Sequence, residues 1–222
     1  MVNETVTAGR EKLMHTLFYS PGYCSLSAHI CLIEAGLPHR LVRVDLKSQT
    51  TDEGQPYASI NAKGYVPALK LPDGQVLTET AAVLQYIADL APDSGLAPIA
   101  SSFERYRLQE WLNFLSTEIH KRASLLVNAR TPEAMRVIAK EQLAVRLHWL
   151  DQQLVARPGL LNDGFTTADA HLFFLLHGFD RLLKFDLSPT PELVRVFAQS
   201  LQRASVQKAM AREGLAVADV RS

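Results

Sequence analysis

The chain has 222 residues, 47% hydrophobic and 21% charged, with 23 basic against 23 acidic side chains and a formal net charge of zero. At about 100–200 residues per domain, this allows one large domain or two modest ones with a sizeable core. The balance excludes a strongly basic nucleic-acid binder at the level of total charge, and it excludes an acidic disordered chain.

Residues 1–14 are polar, lack the apolar run of a signal peptide and read as a flexible extension. His15 to Ser20 is rich in strand formers, and the Pro21-Gly22 turn ends it. Leu26, Ile30, Ile33 and Leu37 then recur at helical intervals, with Gly36 as the stop. Arg40 to Asp45 predicts a second strand, and β–α–β at this length implies a right-handed crossover with parallel pairing. A polar stretch with Gly54 and Gly64 follows. Ala68 to Leu71 and Gln75 to Leu77 predict two strands joined at Pro72-Asp73-Gly74. Thr78-Glu79-Thr80 opens a helix carrying Val83, Leu84, Ile87 and Leu90, with either threonine as its cap. Residues 15–91 thus describe a small mixed sheet with helices packed on it, as in the thioredoxin-like fold.

Residues 92–99 lie in the Pro- and Gly-containing stretch that reads as the linker. Residues 100–222 show no convincing strand and predict an all-helical domain. Phe103 to Leu126 is one long helical pattern. Thr131-Pro132-Glu133 predicts a second start, with threonine as cap and proline at the first helical position. Thr166-Thr167-Ala168-Asp169 carries a capping signature and opens an apolar helix through Phe179. Pro191 to Leu201 and Ser205 to Arg212 complete the set. The longest apolar run, Leu172 to Leu176, is far too short to span a bilayer, and no membrane partner is expected.

The candidate chemistry centres on Cys24, where the loop after the first strand meets the first helix. Unpaired backbone N–H groups and the positive helix end predict a lowered thiol pKa there. Burial as a small hydrophobe is the competing reading. Cys31 lies seven residues on, inside the helix, and reads as core. The rise of about 10 Å between them exceeds disulfide reach, roughly 7 Å, so both are expected as reduced thiols of a cytoplasmic protein. There is no Cys-x-x-Cys pair, so exchange chemistry at Cys24 needs an external thiol. Tyr19 ends the first strand, either as a donor to a bound thiolate or as a half-buried aromatic. Val66-Pro67 stands at the start of an apparent edge strand; a cis bond would leave the Val66 backbone free to pair with a peptide-like ligand. Glu79 and Thr80 at a helix start can hold an amine and a carboxylate, or simply cap the helix. These pieces converge at the C-terminal end of the first strand and could clamp a short peptide with a thiol, a carboxylate and an amine.

The arrangement resembles the glutathione transferases, specifically their bacterial beta class, from about His15 to the end of the chain. Tyr19-Ser20-Pro21-Gly22-Tyr23-Cys24-Ser25-Leu26, Asn61-Ala62-Lys63-Gly64-Tyr65-Val66-Pro67-Ala68-Leu69 and Leu77-Thr78-Glu79-Thr80 carry it in the first half. Glu110-Trp111-Leu112-Asn113-Phe114, Thr117-Glu118-Ile119-His120-Lys121 and Phe165-Thr166-Thr167-Ala168-Asp169-Ala170 carry it in the second. The resemblance implies a thioredoxin-like domain plus an all-α domain, glutathione as co-substrate, no metal, a small hydrophobic electrophile and a homodimer. It places Cys24 against the glutathione sulfur and cis-Pro67 after Val66, whose main chain pairs with the cysteinyl part. Glu79 and Thr80 hold the γ-glutamyl end. His120 and Lys121 approach the sulfur, and Asn113 and Glu118 reach the other subunit's glutathione. Three departures stand out. Thr80 replaces serine and keeps the hydroxyl. Gln49 stands where the class often has a lysine near the glycyl carboxylate, with Lys47 close by as a substitute. Tyr23 replaces a small residue beside the cysteine.

Conjugation of glutathione to hydrophobic electrophiles is the favoured activity. A thiol-disulfide or peroxide reductase centred on Cys24, a specialised isomerase or dehalogenase, and a non-enzymatic glutathione-binding module share the same scaffold.

Overall fold

The computed structural model describes residues 14–161 and 164–216. The expected extension at 1–14 therefore lies, apart from Met14, outside the described residues.

The first half holds β1 (His15–Tyr19), α1 (Ser25–Glu34), β2 (His39–Asp45), β3 (Thr50–Thr51), β4 (Ala68–Lys70), β5 (Val76–Thr78) and α2 (Thr80–Leu90). The sheet order is β3-β2-β1-β4-β5. β1 runs parallel to β2 with Leu17 opposite Leu41, and antiparallel to β4 with Leu17 opposite Leu69. Strand alternation divides β1 between two cores. Leu17 joins the helices in the main core, and Phe18 packs with Val42, Val44, Tyr57, Val66 and Ala68 on the opposite face. α1 closes in the left-handed glycine manner. Gly36 sits at φ +64°, and the Gly36 and Leu37 N–H groups return to the Ile33 and Leu32 carbonyls, each at 3.0 Å.

Three expectations are corrected here. β3 is a two-residue strand inside the stretch read as polar loop; too short for an alternation signal, it exists because Thr51 pairs with Val44. β4 is an interior strand, since β5 covers its outer side. Neither threonine caps α2: the cap position is Glu79, without a side-chain bond, and Thr80 is the first helical residue.

Beyond Ser102 the described residues form helices: α3 (Phe103–Phe114), a π-helical turn (Leu115–His120), α4 (Lys121–Val127), α5 (Glu133–Gln153), α6 (Thr167–Gly178), a second π-helical turn (Phe179–Leu183), α7 (Pro191–Leu201) and α8 (Ala204–Arg212). The single long helix expected over 103–126 is thus broken by a widened turn. There the Ser116 and Thr117 hydroxyls donate to the Leu112 and Asn113 carbonyls at 2.7 and 3.0 Å. Such turns often accompany functional sites. At α5 the cap falls on Pro132 instead of Thr131, in extended conformation (ψ 147°) and with no side-chain bond. Among the described residues no helix is long and apolar enough to cross a membrane.

The two halves share one core. Leu26, Ile30 and Leu84 lie in the same buried cluster as Leu108, Leu172, Phe173 and Met210. Polar ties reinforce it. Arg105 bonds Asp89 at 2.7 Å and the Pro98 carbonyl at 3.0 Å. Glu34 bonds Arg203 and Ser205. At the opening of α6 the Asp169 carboxylate accepts from the Thr166 N–H (2.8 Å), the Thr166 hydroxyl (2.6 Å) and the Leu160 N–H (2.9 Å).

Candidate active site

The loop from Ser20 to Cys24 carries the thiol. It is fixed at Gly22, which has φ +71° and lies so close to the Arg181 guanidinium that a Cβ would stand 2.8 Å from it. The Gly22 N–H donates to Glu213 at 2.9 Å, and the other oxygen of that buried carboxylate meets His29 of α1 at 2.8 Å. Cys24 occupies the N-cap position of α1, half-buried, and its thiol donates to the Val66 carbonyl at 2.9 Å. The expected lowering of its pKa is overturned. Burial pushes the thiol up to about 11, against the Thr80 hydroxyl and the backbone N–H groups of Cys24 and Ser25, which favour the thiolate. Loss of water at the sulfur outweighs the helix end, and the bond to Val66 needs the proton in place. Cys31 is fully buried and its pKa is raised further by the same cause.

Val66 is presented by a loop with its own scaffold. The Tyr57 hydroxyl and the Asn61 amide both donate to the Tyr65 carbonyl, at 2.9 and 2.6 Å. The Val66-Pro67 bond is cis. Across from it, Glu79 adopts φ +70° and its carboxylate pairs with Lys63. A non-glycine residue in that region is uncommon and is held there by its surroundings. The structure therefore brings Cys24, Val66 and Thr80 together, with Glu79 at the rim.

A cleft of about 250 Å³ between the halves is lined by Gly22 and Tyr23, which directly precede Cys24 in the chain, and by His120, Phe174, Leu182 and Leu183 among others. Its walls are mainly apolar, which suits a hydrophobic guest. His120 ends the first π-helical turn and meets Phe174 edge-on, ring centroids 5.2 Å apart. Burial and then Lys121 lower its pKa, so at neutral pH it is an uncharged imidazole.

Residues 23–90 match the family described as "Glutathione S-transferase, N-terminal domain". Glutathione S-transferase GstA of Escherichia coli O157:H7 is 39% identical over 90% of this chain and 98% of its own. The chain belongs to the glutathione transferase family. Among solved structures, a sphingomonad glutathione S-transferase complexed with glutathione is 39% identical (TM-score 0.86), covering 90% of this chain and 100% of that one. A bacterial beta class transferase from Sphingomonas chungbukensis is 37% identical (TM-score 0.87), with the same coverage.

The other sequence-predicted residues of this transferase are spread more widely. The Tyr19 ring stands beside His29, centroids 6.4 Å apart, and burial raises the pKa of its phenol. Gln49 turns inward and donates to the Leu46 and Gly64 carbonyls at 2.9 and 3.3 Å, tying two loops together. Lys47 is exposed. Asn113 and Lys121 are exposed on the α3–α4 rod, and Glu118 pairs with Arg122 (3.0 Å) and Arg146 (2.9 Å). Sequence reasoning missed Tyr57, Asn61, Lys63 and Glu213. Asn61 had a local signal, a polar turn before Gly64; Glu213 had none, since its partner Gly22 is 191 residues away.

Proposed function

We infer that this glutathione transferase binds the tripeptide along Val66, Glu79 and Thr80 and transfers its thiolate to a hydrophobic electrophile held in the cleft beside Tyr23, His120 and Phe174. The observation that carries the reading is the bond of the Cys24 thiol to the Val66 carbonyl, directly after Gly22 and Tyr23 of the cleft wall. Glu79 and Thr80 take the γ-glutamyl end, and the Val66 backbone takes the cysteinyl part, with Pro67 shaping the turn. Lys47 and Gln49 lie toward the glycyl end.

The raised pKa of Cys24 gives it a definite role. A thiol at about 11 holds its proton more tightly than an ordinary thiol, near 9.0. When two sulfurs share one site, the ligand sulfur ionises first and Cys24 remains the hydrogen-bond donor to it. The ligand thiolate then attacks an electrophilic carbon, forming the C–S bond while the leaving group departs with its electron pair. His120 is neutral and adds a second donor beside the cleft, with the Lys121 charge nearby. Cys24 is a donor here and not the nucleophile, so Cys24→Ser keeps part of the conjugation activity.

Mixed-disulfide exchange at Cys24 is a second reading, favoured by its being a free thiol at the site with no second cysteine in reach. We place the transferase in the cytoplasm, where glutathione and both thiols are kept reduced. We also propose a homodimer. Support comes from Phe103 and Tyr106, 66% and 59% exposed on α3, which also carries Asn113. Asn113 and Glu118 would then reach the partner's glutathione. Steady-state conjugation of an aromatic halide by Cys24→Ser and Cys31→Ser, beside intact mass after oxidised glutathione, tests the reading. Partial activity and no adduct in Cys24→Ser support it. An adduct on Cys31 contradicts it.

A further inference from the structure

Lys63 has no role in the mechanism above, yet its ammonium pairs with the Glu79 carboxylate across sixteen residues of chain. Both side chains reach water, 48% and 70% exposed. Glu79 directly precedes Thr80, whose hydroxyl favours the thiolate form of Cys24. Lys63 lies three residues before Val66, whose carbonyl accepts the Cys24 thiol. The backbone is held at both ends of the pair. The Lys63 N–H donates to Asn61 Oδ1 at 3.1 Å, and Gln49 holds the next carbonyl, that of Gly64, at 3.3 Å. Glu79 is fixed at φ +70°. Rigid backbones thus carry an opposed cation and anion whose tips are free to exchange partners. Such an exposed pair is worth little, about 0–1 kcal/mol, so parting it costs little.

The amino-acid head of a γ-glutamyl group carries one ammonium and one carboxylate, the complement of this pair. We propose that Lys63 recognises the α-carboxylate of that head. On binding, the Lys63–Glu79 pair parts; Glu79 takes the ligand ammonium, and Lys63 takes the carboxylate together with the N–H groups at the start of α2. Two ion pairs replace one, and no charge is left stranded. The assignment rests on the reading of this site as a glutathione site. It makes the transferase selective for thiol peptides with an intact α-amino-acid head over peptides with either charge removed.

Calorimetric titration of the full chain tests this with three probes: glutathione, 4-aminobutanoyl-cysteinylglycine, which lacks the α-carboxylate, and glutaryl-cysteinylglycine, which lacks the amine. Lys63→Met is expected to raise the glutathione Kd about fivefold, the scale of one exposed charge pair. It should leave the Kd of the 4-aminobutanoyl peptide unchanged, and Glu79→Gln should spare the glutaryl peptide in the same way. Lys63→Arg should restore most of the glutathione affinity, which a fault in folding would not allow. Unchanged or tighter glutathione binding by Lys63→Met, or equal weakening toward glutathione and the 4-aminobutanoyl peptide, would overturn the role of Lys63 while leaving the glutathione site standing. Absence of glutathione binding by the unaltered protein would overturn the functional reading and this proposal with it.

Discussion

Replacing Asp169 with alanine removes an acceptor that three donors share: the Thr166 N–H, the Thr166 hydroxyl and the Leu160 N–H, at 2.6–2.9 Å. Thr166 and Leu160 are 3% and 2% exposed, so water does not replace the lost partner. Each orphaned backbone donor costs about 1–3 kcal/mol, and loss of the cap adds about 1 kcal/mol. Burial opposes the carboxylate's charge and raises its pKa, which offsets part of the gain from these bonds. The balance is a loss of about 3 kcal/mol, above the 0.5–2 kcal/mol of an isolated cap. Asp169→Asn should fall between, because one amide oxygen remains while the NH₂ meets a donor. Urea denaturation followed by far-UV circular dichroism measures the shift in midpoint. An unchanged midpoint for Asp169→Ala would refute the energetic account. An unchanged midpoint with abolished turnover would instead move Asp169 from the fold to the chemistry.

Four further outcomes are expected. Gly159→Ala should destabilise by about 1–3 kcal/mol, because the new Cβ would stand 2.6 Å from Asp169 Oδ1; thermal melting reads it, and an unshifted melting temperature would count against the close packing of that turn. Glu79→Ala should weaken glutathione binding by about 1–3 kcal/mol in calorimetry, and equal affinities would remove Glu79 from the site. Cys24 in the free protein should alkylate with iodoacetamide about a hundredfold more slowly at pH 7.5 than an ordinary thiol of pKa 9.0, since its pKa stands near 11; a rate equal to that of a free thiol would contradict the burial argument. Burial lowers the pKa of His171 to about 3, so the unfolded chain takes up a proton near 6.5 that the folded chain refuses; stability is full above pH 6.5 and falls by about 1.4 kcal/mol per pH unit as pH drops toward 3, and urea midpoints at pH 7 and 5 should lie closer together in His171→Phe than in the unaltered protein. Parallel acid slopes in the two proteins would exclude His171 as the source.

The sheet was legible because β1, β2 and the Ala68–Thr78 hairpin each carry local signals: strand-forming residues, a Pro-Gly stop and a Pro-Asp-Gly turn. α6 was legible for the same reason, as Thr166 and Asp169 lie within one turn. β3 was not, since two threonines have no pattern of their own and become a strand only on meeting Val44. The widened turn at Leu115–His120 also escaped, because an inserted residue in the helical ladder leaves the apolar spacing nearly intact. Within the site, the residue types were readable but their electrostatics were not. The position of Cys24 at a helix start predicts a lowered pKa; burial, with the thiol bonded to the carbonyl of Val66 some 40 residues on, outweighs the helix end and the Thr80 hydroxyl and reverses the sign. Tyr19, readable as a donor or as a half-buried strand aromatic, has its ring beside that of His29, a neighbour 10 residues on.

A crystal structure of the transferase with glutathione tests the central claim most directly. The account predicts the cysteinyl backbone paired with Val66, the γ-glutamyl head between Glu79, Thr80 and Lys63, and the sulfur in contact with Cys24 Sγ at the mouth of the Tyr23–His120–Phe174 cleft. A tripeptide bound elsewhere, or bound with its sulfur turned away from Cys24 and the cleft, would contradict it.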